Sequence, residues 1–197
     1  MVRDTHLTKS ATRVPSWEIV ELDPEDGEGR RSAARLLFDG FREFWPAAWP
    51  TIEEAEAEVE DTLAPGKLAF VARRDPGGAV LGWIGGQPMY DGHVWELHPL
   101  VVAEGERGKG IGRALVARLE EEIHTLGGLT LWVGTDDEAN LTSIGGMDLY
   151  PNVLAKLARI ENRHGHPFAF YRTLGFEFAG VVPDANGFGK PDILMTK

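Results

Sequence analysis

One stretch of the sequence, residues 95–126, constrains the fold more than any other because it joins three local patterns in a fixed order. Trp95 to Val102 is mostly apolar and branched, which is typical of a buried strand. A basic, glycine-rich turn follows, and from Ile111 apolar residues recur at helical spacing. Pro99 interrupts the strand, and because proline has no N–H to donate to a sheet, we predict a break or bulge there.

The turn between this strand and this helix points to a phosphate. The first amides of a helix have no partners, the helix dipole adds positive charge there, and glycines let a ligand approach the backbone. The candidate phosphate ligands are Arg107, Gly108, Lys109, Gly110, Ile111, Gly112 and Arg113. The alternative interpretation is a tight turn with a solvated basic cluster. The spacing fits neither a P-loop nor the dinucleotide pattern G-x-G-x-x-G, but it does fit R-x-x-G-x-G.

R-x-x-G-x-G between a strand and a helix resembles the acyl-coenzyme A site of the GCN5-related N-acetyltransferases (GNAT). The resemblance implies that the loop amides hold the pyrophosphate of acetyl-CoA. It also implies that the backbone of the preceding strand pairs with the pantetheine arm, through Leu100, Val101 and Val102.

Within that superfamily, further segments closely resemble the aminoglycoside 6'-N-acetyltransferases. They are Trp49-Pro50, W-E-L-H-P-L-V-V at 95–102, G-T-D-D at 134–137, H-P-F-A-F-Y at 166–171 and K-P-D-I at 190–193. The resemblance covers about residues 17–197, and the sequence departs from it in the N-terminal extension and in the irregular stretch after Asp137.

The order of the remaining patterns predicts an α/β (α+β) fold of the GNAT type, with a central mixed, mostly antiparallel twisted sheet of about seven strands and helices on both faces. We expect a flexible extension at 1–16 and one acetyltransferase domain at 17–197. Strands are predicted at 17–22, 67–73, 79–87, 95–102, 129–134, 176–182 and 193–196. Helices are predicted at 30–44, 51–63, 111–126, 153–162 and 167–174.

Composition excludes several classes of protein. The net charge of −11 over 197 residues argues against a nucleic-acid binder, and the absence of cysteine excludes a disulfide framework and a cysteine acyl-enzyme. The six histidines are scattered without ligand spacing, so we expect no metal. No apolar run is long enough for a membrane helix and no signal peptide is evident, which predicts a soluble cytoplasmic protein without a membrane partner.

Acetyl transfer to an amine needs a group that binds the ammonium and accepts its proton. Glu96 is the candidate, and strand alternation places it on the same face as His98. The alternative for Glu96 is a structural hydrogen-bond partner, and His98 is either a substrate contact or a buried, satisfied imidazole. The family resemblance implies that the amide near Leu100 stabilises the thioester oxygen, and that Tyr171 protonates the leaving thiolate. From the sequence alone, a helical tyrosine is more often a core residue.

The acceptor site is expected to contain carboxylates that meet several ammonium groups. The candidates are Asp136, Asp137 and Asp192, with Trp49 and Tyr90 stacking on sugar rings. The two tryptophans of residues 45–50 form either a core plug or an aromatic wall. The many acids of residues 51–63 form either a solvated face or a rim that attracts cations.

The resemblance implies an enzyme that moves an acetyl group from acetyl-CoA to the 6'-amine of an aminoglycoside by direct attack in a ternary complex. It implies antibiotic resistance and a homodimer. Two alternatives stay open. One is a GNAT enzyme for another amine, such as a polyamine or a protein N-terminus, and the other is a non-catalytic acyl-CoA sensor, which would need neither Glu96 nor Tyr171.

Overall fold

The computed structural model describes residues 16–197, so the predicted extension at 1–16 lies outside the described residues except for Ser16. The strands are β1 (Glu18–Glu21), β2 (Leu68–Arg73), β3 (Val80–Met89), β4 (Val94–Val102), β5 (Thr130–Asp136), β6 (Glu177–Val182) and β7 (Asp192–Thr196). The helices are α1 (Gly27–Phe41), α2 (Ile52–Thr62), α3 (Ile111–Thr125), α4 (Val153–Leu157) and α5 (Phe168–Thr173). None of these helices combines the length and the apolar character that crossing a membrane requires.

The strands form one seven-stranded sheet in the order β1-β2-β3-β4-β5-β7-β6. Only β4 and β5 run parallel, and every other neighbouring pair is antiparallel. Strand alternation sends Phe70 into a core shared with α3, whereas Val71 enters a second core shared with α1 and α2. The prediction of a mixed, mostly antiparallel sheet with helices on both faces is confirmed.

Helices α1 and α4 differ most from the predictions. α1 begins three residues earlier than predicted, because the Asp26 carboxylate accepts a hydrogen bond from the amide of Gly29 at 2.8 Å and caps the helix. α4 ends five residues earlier than predicted, so the helix predicted at 153–162 is wrong over its second half. The chain there pairs with an earlier loop instead, through an isolated bridge between Thr142 and Asn162.

Pro99 produces the predicted bulge in β4. Ile84 of β3 lies opposite Leu100, but Gly86 lies opposite Leu97, so β4 carries an extra residue between these two pairs. Gly85 faces the bulge, and a Cβ atom at that position would overlap the carbonyl oxygen of His98. The absence of a side chain at Gly85 therefore permits the bulge.

β4 and β5 diverge beyond their first residues. They pair only over Val94–Glu96 and Thr130–Trp132, after which β5 pairs with β7 alone. Among residues 16–197, the second half of β4 consequently has no partner strand on its β5 side. A wedge-shaped gap opens in the middle of the sheet, and the candidate site surrounds it.

Candidate active site

The free edge of β4 can be assigned from its hydrogen bonds. The Ala103 amide donates to the Leu81 carbonyl of the β3 segment at 2.9 Å, so alternation turns the backbone groups of Val101 toward β3 as well. The backbone groups of Leu100 and Val102 then face the gap, and the Val102 carbonyl accepts a hydrogen bond from Arg107 Nε at 3.1 Å. The prediction that the Val101 backbone pairs with a ligand is therefore wrong, and ligand pairing by Leu100 and Val102 stays a prediction.

The glycine-rich loop leads directly from this edge into α3. Gly108 and Gly110 have φ angles of 75° and 91°, a conformation that residues with side chains rarely adopt. Gly110 is the N-cap of α3, no side chain of residues 16–197 caps the helix, and its first turn contains no acidic residue. The unpaired amides at this helix start suit a pyrophosphate such as that of acetyl-CoA.

The side chains of the loop contribute unequally. Lys109 Nζ lies 3.2 Å from Glu106 Oε2, so part of its charge is already compensated. Arg113 donates to the Thr173 hydroxyl at 3.4 Å. The Ile111 side chain is buried in the core, and a Cβ at Gly112 would lie 3.2 Å from the Phe170 ring. Residues 111 and 112 can therefore offer a ligand only their backbone.

Three carboxylates share one face of the sheet beside the gap. Glu96 lies opposite Trp132, and Asp136 lies opposite Asp192; because residues 132, 134 and 136 point the same way, all three acids meet on that face. Gln87 Nε2 donates to Glu96 Oε2 at 2.5 Å, and the Asp192 carboxylate lies over Gly134.

Asp192 is held in an environment that disfavours its charge. Burial first, and then the neighbouring Asp136, raise the pKa of Asp192 to about 6, with a smaller contribution from Glu96. Its Oδ1 atom is buried and has no hydrogen-bond partner within the described part of the chain. An ammonium group would satisfy both the unpaired oxygen and the excess negative charge.

Replacing Asp192 with Asn is expected to stabilise the ligand-free protein at neutral pH by about 1–2 kcal/mol, a value reduced for the partial exposure of the group. The folded-state pKa is raised, so between about 4 and about 6 the folded protein keeps a proton that the unfolded chain has lost. The free energy of unfolding therefore falls as pH rises through that window, and D192N should flatten the fall.

Urea unfolding at several pH values measures this effect. D39N is the control, since Asp39 is exposed on α1 and lies 3.6 Å from Arg35. A D192N protein that is less stable than the wild type at neutral pH, with the same pH dependence, would contradict the assignment.

The α1–α2 loop supplies a wall on the α2 side of the gap. Trp49 Nε1 donates to Glu58 Oε2 at 3.3 Å, while Glu58 Oε1 lies 3.6 Å from His98 Nε2. The Trp49 and His98 ring centroids are 5.7 Å apart. The His98 side chain is 45% exposed, so it is not a buried core histidine.

Sequence reasoning did not single out Glu58 as a site residue. Its spacing from Ala55 on the helix is the signal that could have identified it. The other acids of α2 are exposed, as predicted for a solvated face: Glu53, Glu54, Glu56, Glu60 and Asp61. Glu58 is the one acid of α2 that is half-buried, because it follows the buried Ala55 by one helical turn. A cavity of about 200 Å³ lies beside it, lined by Glu58, Asp61, Thr62, Lys67, Gly86, Gln87 and His98.

The prediction that Asp137 contacts a substrate is wrong. Asp137 is fully buried, and its two oxygens accept hydrogen bonds from the Leu141 amide at 2.5 Å, the Thr142 amide at 3.0 Å and the Thr142 hydroxyl at 2.6 Å. These bonds organise the irregular stretch that follows β5. No oxygen of Asp137 is accessible from the gap.

The two candidate tyrosines lie in different environments. Tyr171 packs edge-on against Phe170 and Phe176, and burial raises the pKa of its hydroxyl well above the usual value. It therefore keeps its proton at neutral pH. Tyr90 is 75% exposed at the tip of the β3–β4 hairpin, and within residues 16–197 no hydrogen bond joins its side chain to the carboxylates. Its contact with a substrate stays a prediction.

The same described residues contain no group of three or more acidic or histidine side chains placed to hold a metal ion. The site consists of a free strand edge, a helix start suited to phosphate and a cluster of carboxylates. These features are those expected of an enzyme that joins an acyl-CoA to an amine.

Comparison with known proteins gives the same class of enzyme. The model of the acetyltransferase (GNAT) family matches residues 34–146, and the chain belongs to this family of acetyltransferases. A search of curated proteins finds no match.

Solved structures give a finer comparison. An aminoglycoside 6'-N-acetyltransferase complexed with coenzyme A is 38% identical, with a TM-score of 0.82, over 91% of this chain and 96% of that one. The aminoglycoside 6'-N-acetyltransferase from Enterococcus faecium is 37% identical over the same shares, with a TM-score of 0.80. An aminoglycoside 6'-acetyltransferase type Ii is 33% identical over the same shares, with a TM-score of 0.68.

Proposed function

We propose that this acetyltransferase transfers the acetyl group of acetyl-CoA to the 6'-amine of aminoglycoside antibiotics. The observation that carries the proposal is the group of three carboxylates, Glu96, Asp136 and Asp192, at the point where β4 leaves β5. Such a cluster suits a substrate with several ammonium groups. The sequence identity to three aminoglycoside 6'-acetyltransferases supports an aminoglycoside, rather than another polycation, as the substrate.

Glu96 is the proposed proton acceptor. An aliphatic amine is mostly protonated at neutral pH, and only its free base can attack a carbonyl carbon. Glu96 lies on β4 shortly before the free edge that would hold the pantetheine arm, so we expect an amine bound to it to lie near the thioester. The hydrogen bond from Gln87 fixes the orientation of the carboxylate.

Acetyl-CoA supplies an activated acetyl group as a thioester. Alternation turns the Leu100 amide into the gap, and we expect this amide to donate to the thioester oxygen as that oxygen gains charge. Tyr171 is the proposed acid for the leaving thiolate, as the family resemblance implies. We propose direct transfer within a ternary complex, without an acyl-enzyme.

The remaining ammonium groups would meet Asp136, Asp192 and Glu58, while Trp49 and Tyr90 would pack against sugar rings. Acetylation removes a positive charge from the antibiotic, and resistance is the physiological role that we propose. We also propose that the enzyme works in the cytoplasm as a homodimer.

The test is release of the coenzyme A thiol with two matched aminoglycosides, one with a 6'-amine and one with a 6'-hydroxyl. A linear polyamine and a peptide with a free N-terminus are run in parallel. Turnover only with the 6'-amine supports the proposal. Turnover only with the polyamine or the peptide would assign the enzyme to another amine, and binding of acetyl-CoA without any thiol release would indicate a sensor.

A further inference from the structure

The α1–α2 loop, residues 42–51, crosses the gap between the two diverging strands. Most of this loop is exposed, and its two half-buried side chains are those of Trp45 and Trp49. Trp49 lies on the β4 side, beside His98. Trp45 reaches the β5 side, where its Nε1–H donates to the Asp136 carbonyl oxygen at 3.1 Å. The two indoles thus connect the loop to both strands that border the gap.

The Asp136 carbonyl accepts a second hydrogen bond, from the imidazole of His166. The Phe168 amide donates to His166 Nδ1 at 3.2 Å, so the proton of this imidazole sits on Nε2, which lies 3.3 Å from the Asp136 oxygen. His166 is buried and takes its position from a fixed network that includes Asn162. Of the two donors to the Asp136 carbonyl, Trp45 is therefore the one that belongs to an exposed loop.

We propose that Trp45 is a positioning residue for the acceptor amine, because its hydrogen bond to the Asp136 carbonyl holds the α1–α2 loop across the gap. The bond keeps Trp49 beside Glu58 and His98, and it fixes the backbone from which the Asp136 carboxylate extends. Within residues 16–197, the other hydrogen bonds of the loop include Trp45 N to Phe41 O, Ala48 N to Trp45 O and Trp49 Nε1 to Glu58 Oε2. The identity of the acceptor in this inference rests on the proposed function, whereas the attachment of the loop does not.

Trp45→Phe isolates the role of the N–H group, since it keeps an aromatic ring against Phe41 and Phe44. The Asp136 carbonyl keeps its bond from His166, so no buried acceptor is left unpaired and the fold should persist. Trp83→Phe is the matched control. Trp83 is fully buried, and within the described part of the chain its Nε1 has no partner, so this change removes a tryptophan without removing a hydrogen bond.

Two measurements test the inference. In steady-state kinetics, W45F should raise the KM for the aminoglycoside by about 2- to 10-fold, the range that one hydrogen bond provides, and change the KM for acetyl-CoA by less than about twofold. In hydrogen–deuterium exchange without any substrate, residues 42–51 should exchange faster in W45F than in the wild type and in W83F.

Faster exchange confined to that loop, together with a rise in the acceptor KM alone, would support the inference. Unchanged exchange over 42–51, or an equal rise in both KM values, would overturn it. If the wild-type enzyme turns over no aminoglycoside, the proposed function fails, and the exchange measurement alone then decides the role of Trp45.

Discussion

Replacing Glu96 with Gln is expected to lower kcat for the aminoglycoside by about 10²-fold or more, the usual contribution of a positioned proton acceptor. Gln is nearly the same size, and its carbonyl can accept the hydrogen bond that Gln87 now donates to Glu96. The fold and the acetyl-CoA site should therefore survive. Initial rates of thiol release at saturating acetyl-CoA measure the effect.

The matched control is Glu53→Gln, which removes an exposed carboxylate from α2 and should leave kcat within about twofold. A kcat for E96Q that stays close to that of E53Q would exclude Glu96 as the proton acceptor. It would move attention to His98, the exposed imidazole on the same strand.

Replacing Asp137 with Ala is expected to lower the free energy of unfolding by about 3 kcal/mol or more. The substitution strips the acceptor from two amides and a hydroxyl that are buried behind β5, and each unpaired buried donor costs about 1–3 kcal/mol. For a chain of this length, the melting temperature should fall by about 6 °C or more. Thermal unfolding followed by circular dichroism is the measurement.

Asp39→Ala serves as the control, because that carboxylate is exposed and its partner Arg35 is also exposed. An Asp137→Ala protein that melts at the wild-type temperature but binds the aminoglycoside more weakly would contradict the structural role of Asp137. It would favour the original prediction that Asp137 contacts the substrate.

Much of the fold could be predicted because it depends on local periodicity. The change from strand to helical spacing near Ile111, and the lack of a ladder donor at Pro99, are properties of short segments, and both predictions hold. The helix predicted after Val153 is too long because residues near Asn162 pair with residues near Thr142, far back in the chain. Local spacing carries no information about such a contact.

The candidate site also depends on features that local sequence patterns do not encode. The G-T-D-D motif placed two acids at the end of β5, but neighbouring residues of a strand point to opposite faces, so Asp136 joins the carboxylates and Asp137 turns into the following loop. The motif alone did not separate them. Trp45 and Glu58 lie on the α1–α2 loop and on α2, and their part in the site depends on how those elements pack over the gap.

The central claim is that the acetyl group reaches the 6'-amine. The most direct measurement incubates the enzyme with ¹³C-acetyl-CoA and an aminoglycoside that has a 6'-amine and further amines on its other rings, and locates the label in the product by NMR. We predict a single product labelled on the 6'-nitrogen. A label on any other amine, or the absence of labelled product, would contradict the claim.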